Sequence, residues 1–236
     1  MILKRRKNWK AVRLKKFSSG YKIILDGTIL RSPSEKECII ENQSIAREVH
    51  REWSNIDSEI DYNHMPYTKA WFISVDRSKN EALSLKHDIV SYGMSDLLCY
   101  RAEISSDLAK LQSKVWDPLL NWMHMQFHLR FSITHGVMPV EQSNDLEKEL
   151  LSLVLPLRPL ALTAINDLVT LSGSLVVGLA ILNNRLSSEE AWKIIRIEEN
   201  WQRDKWGTLD EHRAEDRLKK SLFMRSCKIL QMVYKA

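Results

Sequence analysis

The chain has 236 residues, 44% hydrophobic and 28% charged, with only seven glycines and six prolines, which excludes a disordered or collagen-like polypeptide and favours long regular elements. Three widely spaced cysteines (Cys38, Cys99, Cys227) form no CxxC pair and no even disulfide framework, so a reducing compartment is expected. The formal net charge is +5, but eight Lys or Arg fall within "KRRKNWKAVRLKK" (4–16), and without them 27 basic residues face 30 acidic ones.

That basic stretch opens the chain. It could touch nucleic acid or anionic lipid. Trp9, Val12 and Leu14 interleave with its charges as they would in a solvated strand, and that is the preferred reading. No apolar segment marks a signal peptide, and the seven residues before "NWKAVRL" are fewer than a mitochondrial transit peptide needs. A cytoplasmic protein of bacterial type is therefore expected, or a mitochondrial matrix protein if the chain is a processed form.

The next residues read as β-structure. "YKIILDGTILRSP" places two short apolar runs around Asp26-Gly27, the dipeptide that favours a two-residue type I′ turn. "ECII" (37–40) is a further strand candidate. Asn42 is then a candidate N-cap, with Ile45, Val49 and Trp53 forming one helical stripe. A helix is predicted from "MPYTKAWFISVDR" with Pro66 in its first turn, and another up to Gly93. The long helical pattern "SSDLAKLQSKVWDPLLNWMHMQF" contains Pro118, which predicts a kink or break there. "LRFSITHGVMP" is extended.

From about residue 142 the pattern is helical throughout. "LVTLSGSLVVGLAIL" (168–182) is shorter than the roughly 20 residues of a membrane span and reads as one buried core helix. "SSEEAWKIIRIEENWQRDKWG" reads as one helix, opened by a Ser cap and first-turn Glu residues and closed by Gly207. A last helix runs from about Leu209. The expected class is α+β: a small antiparallel β-rich head ending in a helix (1–60), then a larger all-helical body (61–236).

Chemical motifs are sparse. Cys99, in "SYGMSDLLCYRAE", follows two leucines, an apolar setting that raises a thiol pKa and suits a packing role rather than a nucleophile. His124 and His128 lie at i, i+4 but lack the Glu of HExxH and a third ligand, so two ordinary histidines are expected and no metal site. GxGxxG, GxxxxGK[ST] and GxSxG are all missing, so no cofactor is implied and an enzyme on a familiar cofactor fold is not expected. Trp53, Trp116, Trp122, Trp192, Trp201 and Trp206 sit on helical segments beside polar neighbours. That suits core packing for most of them and a protein-binding patch for some. Glu198 and Glu199 stand amid Trp and Arg; the plain reading is a solvated face with a Glu199–Arg203 ion pair at i, i+4.

Taken together, "FSSGYKIILDGTILRSP", "AREVHREW", "DYNHMPYTKAWFISVDR", "YGMSDLLCYRA", "VWDPLLNWM", "THGVMPV", "LVTLSGSLVVGLAIL" and "RIEENWQRDKWG" resemble, in this order, one family: the assembly chaperones that hold the α subunit of F1, the catalytic part of ATP synthase (the "Atp-twelve" chaperones). The departures are small. The hairpin turn reads DGT with the Arg displaced to Arg31, and Ala70-Trp71 stands where the family more often has Leu-Ala or Cys-Asn.

The resemblance implies a chaperone without catalysis that binds unassembled F1 α subunit, prevents its aggregation and hands it to the β subunit. It implies a contact surface centred on Glu198, Glu199, Gln202 and Trp206. It also implies scaffold roles for Trp53, Asp96, Tyr100, Arg101, Trp116, Asp117 and Gly136. Two other classes remain: a nucleic-acid-binding module using the basic arm, and a hydrolase or metal enzyme using the histidine pair.

Overall fold

The computed structural model describes residues 5–136, 138–207 and 210–234. Residues 1–4, including Lys4 of the basic stretch, and Leu209 as a helix start, lie outside the described residues.

Strands β2 (Val12–Phe17), β3 (Gly20–Leu25) and β4 (Thr28–Ile29) form an antiparallel sheet in the order β2-β3-β4. Leu25 pairs with Thr28 across Asp26 (φ 46°) and Gly27 (φ 92°), the two left-handed residues a type I′ turn requires. The Asp26 carboxylate accepts from Lys10 N (2.8 Å) and Ala11 N (2.7 Å), fixing the turn to the chain ahead of β2. These backbone donors hold its pKa below the ordinary carboxylate value. Strand β1 (Arg5–Arg6) pairs antiparallel with β5 (Glu59–Ile60). The expected strand at 37–40 is reduced to single bridges, Arg31–Glu37 and Tyr21–Ile40.

Helix α1 (Gln43–Ser54) starts where Asn42 accepts from Ser44 N and Ile45 N, and its Ile45, Val49 and Trp53 are all buried. Trp53 meets Trp9 at 5.1 Å and Phe72 of α2 (Pro66–Asp76) at 6.5 Å, joining sheet, α1 and α2. At the end of α2, the Asp76 carboxylate accepts from Ser32 Oγ and from Ser34 N (3.2 Å). Arg77 donates to Thr163 of α6 (Pro159–Ser172) at 3.0 Å. The apolar core is continuous from Trp9 and Ile23 to Phe223 and Leu230.

The remaining elements are α3 (Lys79–Met94), β6 (Tyr100–Arg101), α4 (Asp107–Phe127), β7 (Thr134–His135), α5 (Asn144–Val154), α7 (Leu175–Leu182), α8 (Ser188–Ile195), α9 (Ile197–Trp206) and α10 (Asp210–Tyr234). Helices make up 62% of the described residues, with the small antiparallel region at the N-terminus, an α+β fold. Helix α6 lies at the centre of the helical part, packed on α2, α3, α7 and α10.

The sequence reading is corrected at three points. Helix α4 runs unbroken through Pro118; the proline removes one i→i−4 bond, but Trp116, Leu119, Leu120 and Met123 are all buried on either side of it. The apolar segment 168–182 is two helices, because Gly173 adopts φ +70° and closes α6 while the Ser174 side chain caps α7. The segment 187–207 is likewise split at Arg196 into α8 and α9. Strands β6 and β7 form a short parallel pair, with β7 inside the segment "LRFSITHGVMP" read as extended. No helix among the described residues is long and apolar enough to cross a membrane.

Candidate functional site

Helix α9 carries the predicted contact residues. Trp116 donates its indole N–H to Ile194 O at 3.0 Å, a carbonyl that a continuous helix would give to the Glu198 N–H, and the chain bends just beyond it. Arg196 at the bend donates to Glu199 Oε1 (2.8 Å) and to Asp216 Oδ1 of α10 (2.6 Å), and it lies 5.5 Å from the Trp192 ring centroid. Arg196 is therefore the fastener between α8, α9 and α10. The expected Glu199–Arg203 pair is replaced: Glu199 is held by Arg196, and Arg203 donates to Asn200.

Glu199, Gln202 and Trp206 are exposed, with Trp206 at 73%. Trp206 stands edge-on to Trp201 at 5.9 Å, and Lys205 Nζ lies 3.9 Å from the Trp201 ring centroid. Glu198 differs: it is half-buried and accepts from Gln112 Nε2 of α4 at 2.6 Å. Burial and the Glu199 charge raise its pKa. Gln112, fully buried, also accepts from Ala102 N (2.8 Å), so Glu198 is wired through α4 to the end of β6. Glu198, Glu199 and Arg196 line a small cavity of about 120 Å³ with Trp116, Trp192 and Lys219. Gln112, Arg196 and Asp216 were not singled out from the sequence, since only the fold reveals their partners.

Of the residues assigned to the scaffold, Asp96, Tyr100, Arg101, Trp116, Asp117 and Gly136 come together around β6 and α4, while Trp53 lies apart, against Trp9 and Phe72. The fully buried Asp96 accepts from Leu98 N (3.0 Å) and Val176 N (2.9 Å), capping a short 3-10 turn (Leu97–Cys99) and the start of α7 at once. Burial pushes its pKa up to about 6, against the opposing pull of those donors. Arg101, 3% exposed, donates to Leu98 O (Nε, 2.8 Å) and Asp117 Oδ1 (Nη2, 2.8 Å) and lies 4.9 Å from the Trp116 ring centroid. Half-buried Tyr100 pairs with Thr134 across β6–β7. Gly136 donates to Arg101 O (2.9 Å) at φ +76°, a backbone conformation that favours glycine.

The three cysteines are buried as free thiols. Burial and the Asp96 charge push the Cys99 thiol up to about 12, and burial pushes Cys38 and Cys227 up to about 11. His128 is the left-handed C-cap of α4, and His124 Nδ1 is buried without a partner. Among the described residues, no group of three or more His, Cys, Asp or Glu could hold a metal ion.

Residues 6–124 match the protein family described as ATP12 chaperone protein. The chain is 25% identical over 218 residues to the mitochondrial protein atp12 of Schizosaccharomyces pombe, spanning 87% of this chain and 75% of that one. The crystal structure of Atp12 from Paracoccus denitrificans is similar over 96% of this chain and 97% of its own, at 31% identity and a TM-score of 0.89. A mutant of the same protein matches equally well. A chaperone-like protein from Agrobacterium tumefaciens matches at 28% identity over 98% of this chain and 87% of its own, with a TM-score of 0.88.

Proposed function

The chain belongs to the ATP12 chaperone protein family, and on that premise we propose that its client is the unassembled α subunit of F1, held until the β subunit takes its place. Membership makes it a chaperone of ATP synthase assembly. The family match together with the likeness over 96% of the chain is the observation that carries this reading. The client is the finer step, and it rests on the motif resemblance. A subunit of a closed ring exposes a large apolar interface until its neighbours arrive, and such a patch aggregates unless covered. The cover must be weaker than the final interface, since it is displaced by it. This task needs no bond chemistry, and no enzyme activity is proposed. The compartment proposed is the bacterial cytoplasm; the S. pombe relative is mitochondrial.

The contact surface proposed is α9. Trp206 supplies an aromatic anchor at an exposed position, and Glu199 and Gln202 supply polar contacts beside it. Glu198 stands behind them, half-buried on Gln112. Glu199 is already paired with Arg196, so a basic group of the client would compete for it rather than meet a free carboxylate. The test is capture of F1 α subunit by the chain and by its Glu199→Lys and Trp206→Ala variants. Trp206→Ala is expected to weaken capture by about 2 kcal/mol with unchanged melting. Capture of α at wild-type strength by both folded variants would remove α9 as the contact.

A further inference from the structure

We propose that the outer edge of strand β2 is a docking site for an extended, acidic segment of another polypeptide, which adds to the sheet as a further strand. The sheet order β2-β3-β4 leaves β2 as an edge strand six residues long. The register decides which of its backbone groups face outward. Tyr21 and Ile23 bond on their far side to Ile40 and Leu30. Gly20, Lys22 and Ile24 are therefore the β3 residues that face β2, opposite Phe17, Lys15 and Arg13. Val12, Leu14 and Lys16 turn their N–H and C=O groups to the free edge. The Val12 carbonyl is met there by His50 Nε2 of α1 at 3.3 Å. Among the described residues, nothing meets the outward backbone groups of Leu14 or Lys16. An incoming strand bonds to both.

Charge fixes the chemistry of the partner. No Asp or Glu occurs before Asp26, and Asp26 is engaged by Lys10 N and Ala11 N. Arg13, Lys15 and Lys16 are exposed, and among the described residues none of the three is in an ion pair. Lys15 stands directly opposite Lys22, a like-charged pair that weakens a sheet, and Glu37 neutralises Lys22 alone. An added strand with acidic side chains at alternate positions lies against Arg13 and Lys15 on one face and relieves that repulsion. Edge lysines keep a sheet from pairing with its own copies; a second copy brings an edge of the same sign and is repelled, whereas an acidic strand is drawn in. The aromatic ring on this face, Phe17, lies under Lys15 Nζ and Lys22 Nζ, 5.3 and 4.8 Å from its centroid, so no platform for stacked bases is open. The outward N–H and C=O groups match a polypeptide backbone, which a bilayer does not carry. Strand β2 packs on α1, while α9 packs on α4 and α8, so this contact is separate from the α9 surface and holds whichever subunit is the client.

The labelled full chain is titrated, with its amide resonances assigned, against a short peptide alternating Glu and Thr, with a peptide alternating Lys and Thr as control. Single-stranded oligouridylate and phosphatidylglycerol vesicles are the other probes. The expected result is a saturable shift of the Val12, Leu14 and Lys16 amides with the acidic peptide, slowed hydrogen exchange at Leu14 and Lys16, and no response to the basic peptide. Reversal of Arg13 and Lys15 to Glu should weaken binding by about tenfold at low salt. Lys16→Pro removes an outward N–H and leaves the β2–β3 ladder whole, so it should weaken binding more than Lys16→Gln, which loses the charge alone. All three positions are exposed, and the exchange measurement on the wild type decides the matter should a variant not fold. Unmoved Leu14 and Lys16 amides, an equal response to both peptides, or a response at these residues to oligouridylate or vesicles in place of the acidic peptide would overturn the proposal. Equal binding by Lys16→Pro and Lys16→Gln would overturn strand addition.

Discussion

Asp96 and Arg101 are five positions apart and both buried, and each reaches a different part of the fold, with Arg101 Nη1 left without a partner among the described residues. Asp96 serves the N-terminus of α7, and its folded pKa of about 6 lies above the ordinary value of 3.8. A group raised in this way binds its proton more tightly when folded. Its contribution to stability is therefore full below about pH 4 and is lost as pH rises toward 6, by roughly 3 kcal/mol. Asp96→Asn should flatten stability across that window, read as urea midpoints at several pH values. A wild-type profile already flat between pH 4 and 6 would contradict the assignment. Arg101 removes three risks at once, serving a carbonyl, a carboxylate and an indole face. Arg101→Ala should cost roughly 2–4 kcal/mol in chemical denaturation, since Leu98 O and Asp117 lose their donor. The sequence alone marked both residues as scaffold through the resemblance. The partners Val176 and Asp117 could not be read there, because nothing local ties positions 96 and 176.

At the level of elements, helix starts were the most legible feature, because their chemistry is local. Asn42 caps α1, and Pro66 takes the first turn of α2. Helix breaks were less so. Gly173 ends α6 by its backbone conformation, and the bend at Arg196 coincides with an indole from another helix at Ile194 O. Helix α2 shows the same limit: Met65 offers it no side-chain cap, and the Glu52 carboxylate of α1 accepts from Tyr67 N (2.8 Å) and Thr68 N (2.7 Å) instead. Burial raises the Glu52 pKa even so. Glu52→Ala should lower stability by about 1–2 kcal/mol, measured by thermal or urea unfolding. An unchanged midpoint would mean that the cap is dispensable. Of the proposed contact surface, the exposed positions of α9 follow the sequence pattern; the inward turn of Glu198 toward Gln112 does not, since it depends on how α4 and α9 pack.

Across the whole molecule, the core runs without interruption from the sheet through α1 to the central helix α6 and α10. Trp53 is the joint, with Trp9 on one side and Phe72 on the other. Trp53→Asp would bury an unpaired charge in that joint and should abolish cooperative unfolding altogether; a folded variant with near-native melting would show that sheet and helices hold together without it. The central claim is that this scaffold shields the F1 α subunit. Co-expression with the cognate α subunit, and separately with β, followed by pull-down and separation of soluble from aggregated subunit, tests it most directly. The account predicts that α alone is retained and kept in solution; retention of neither subunit, or of β in place of α, by a normally folded chain would contradict it.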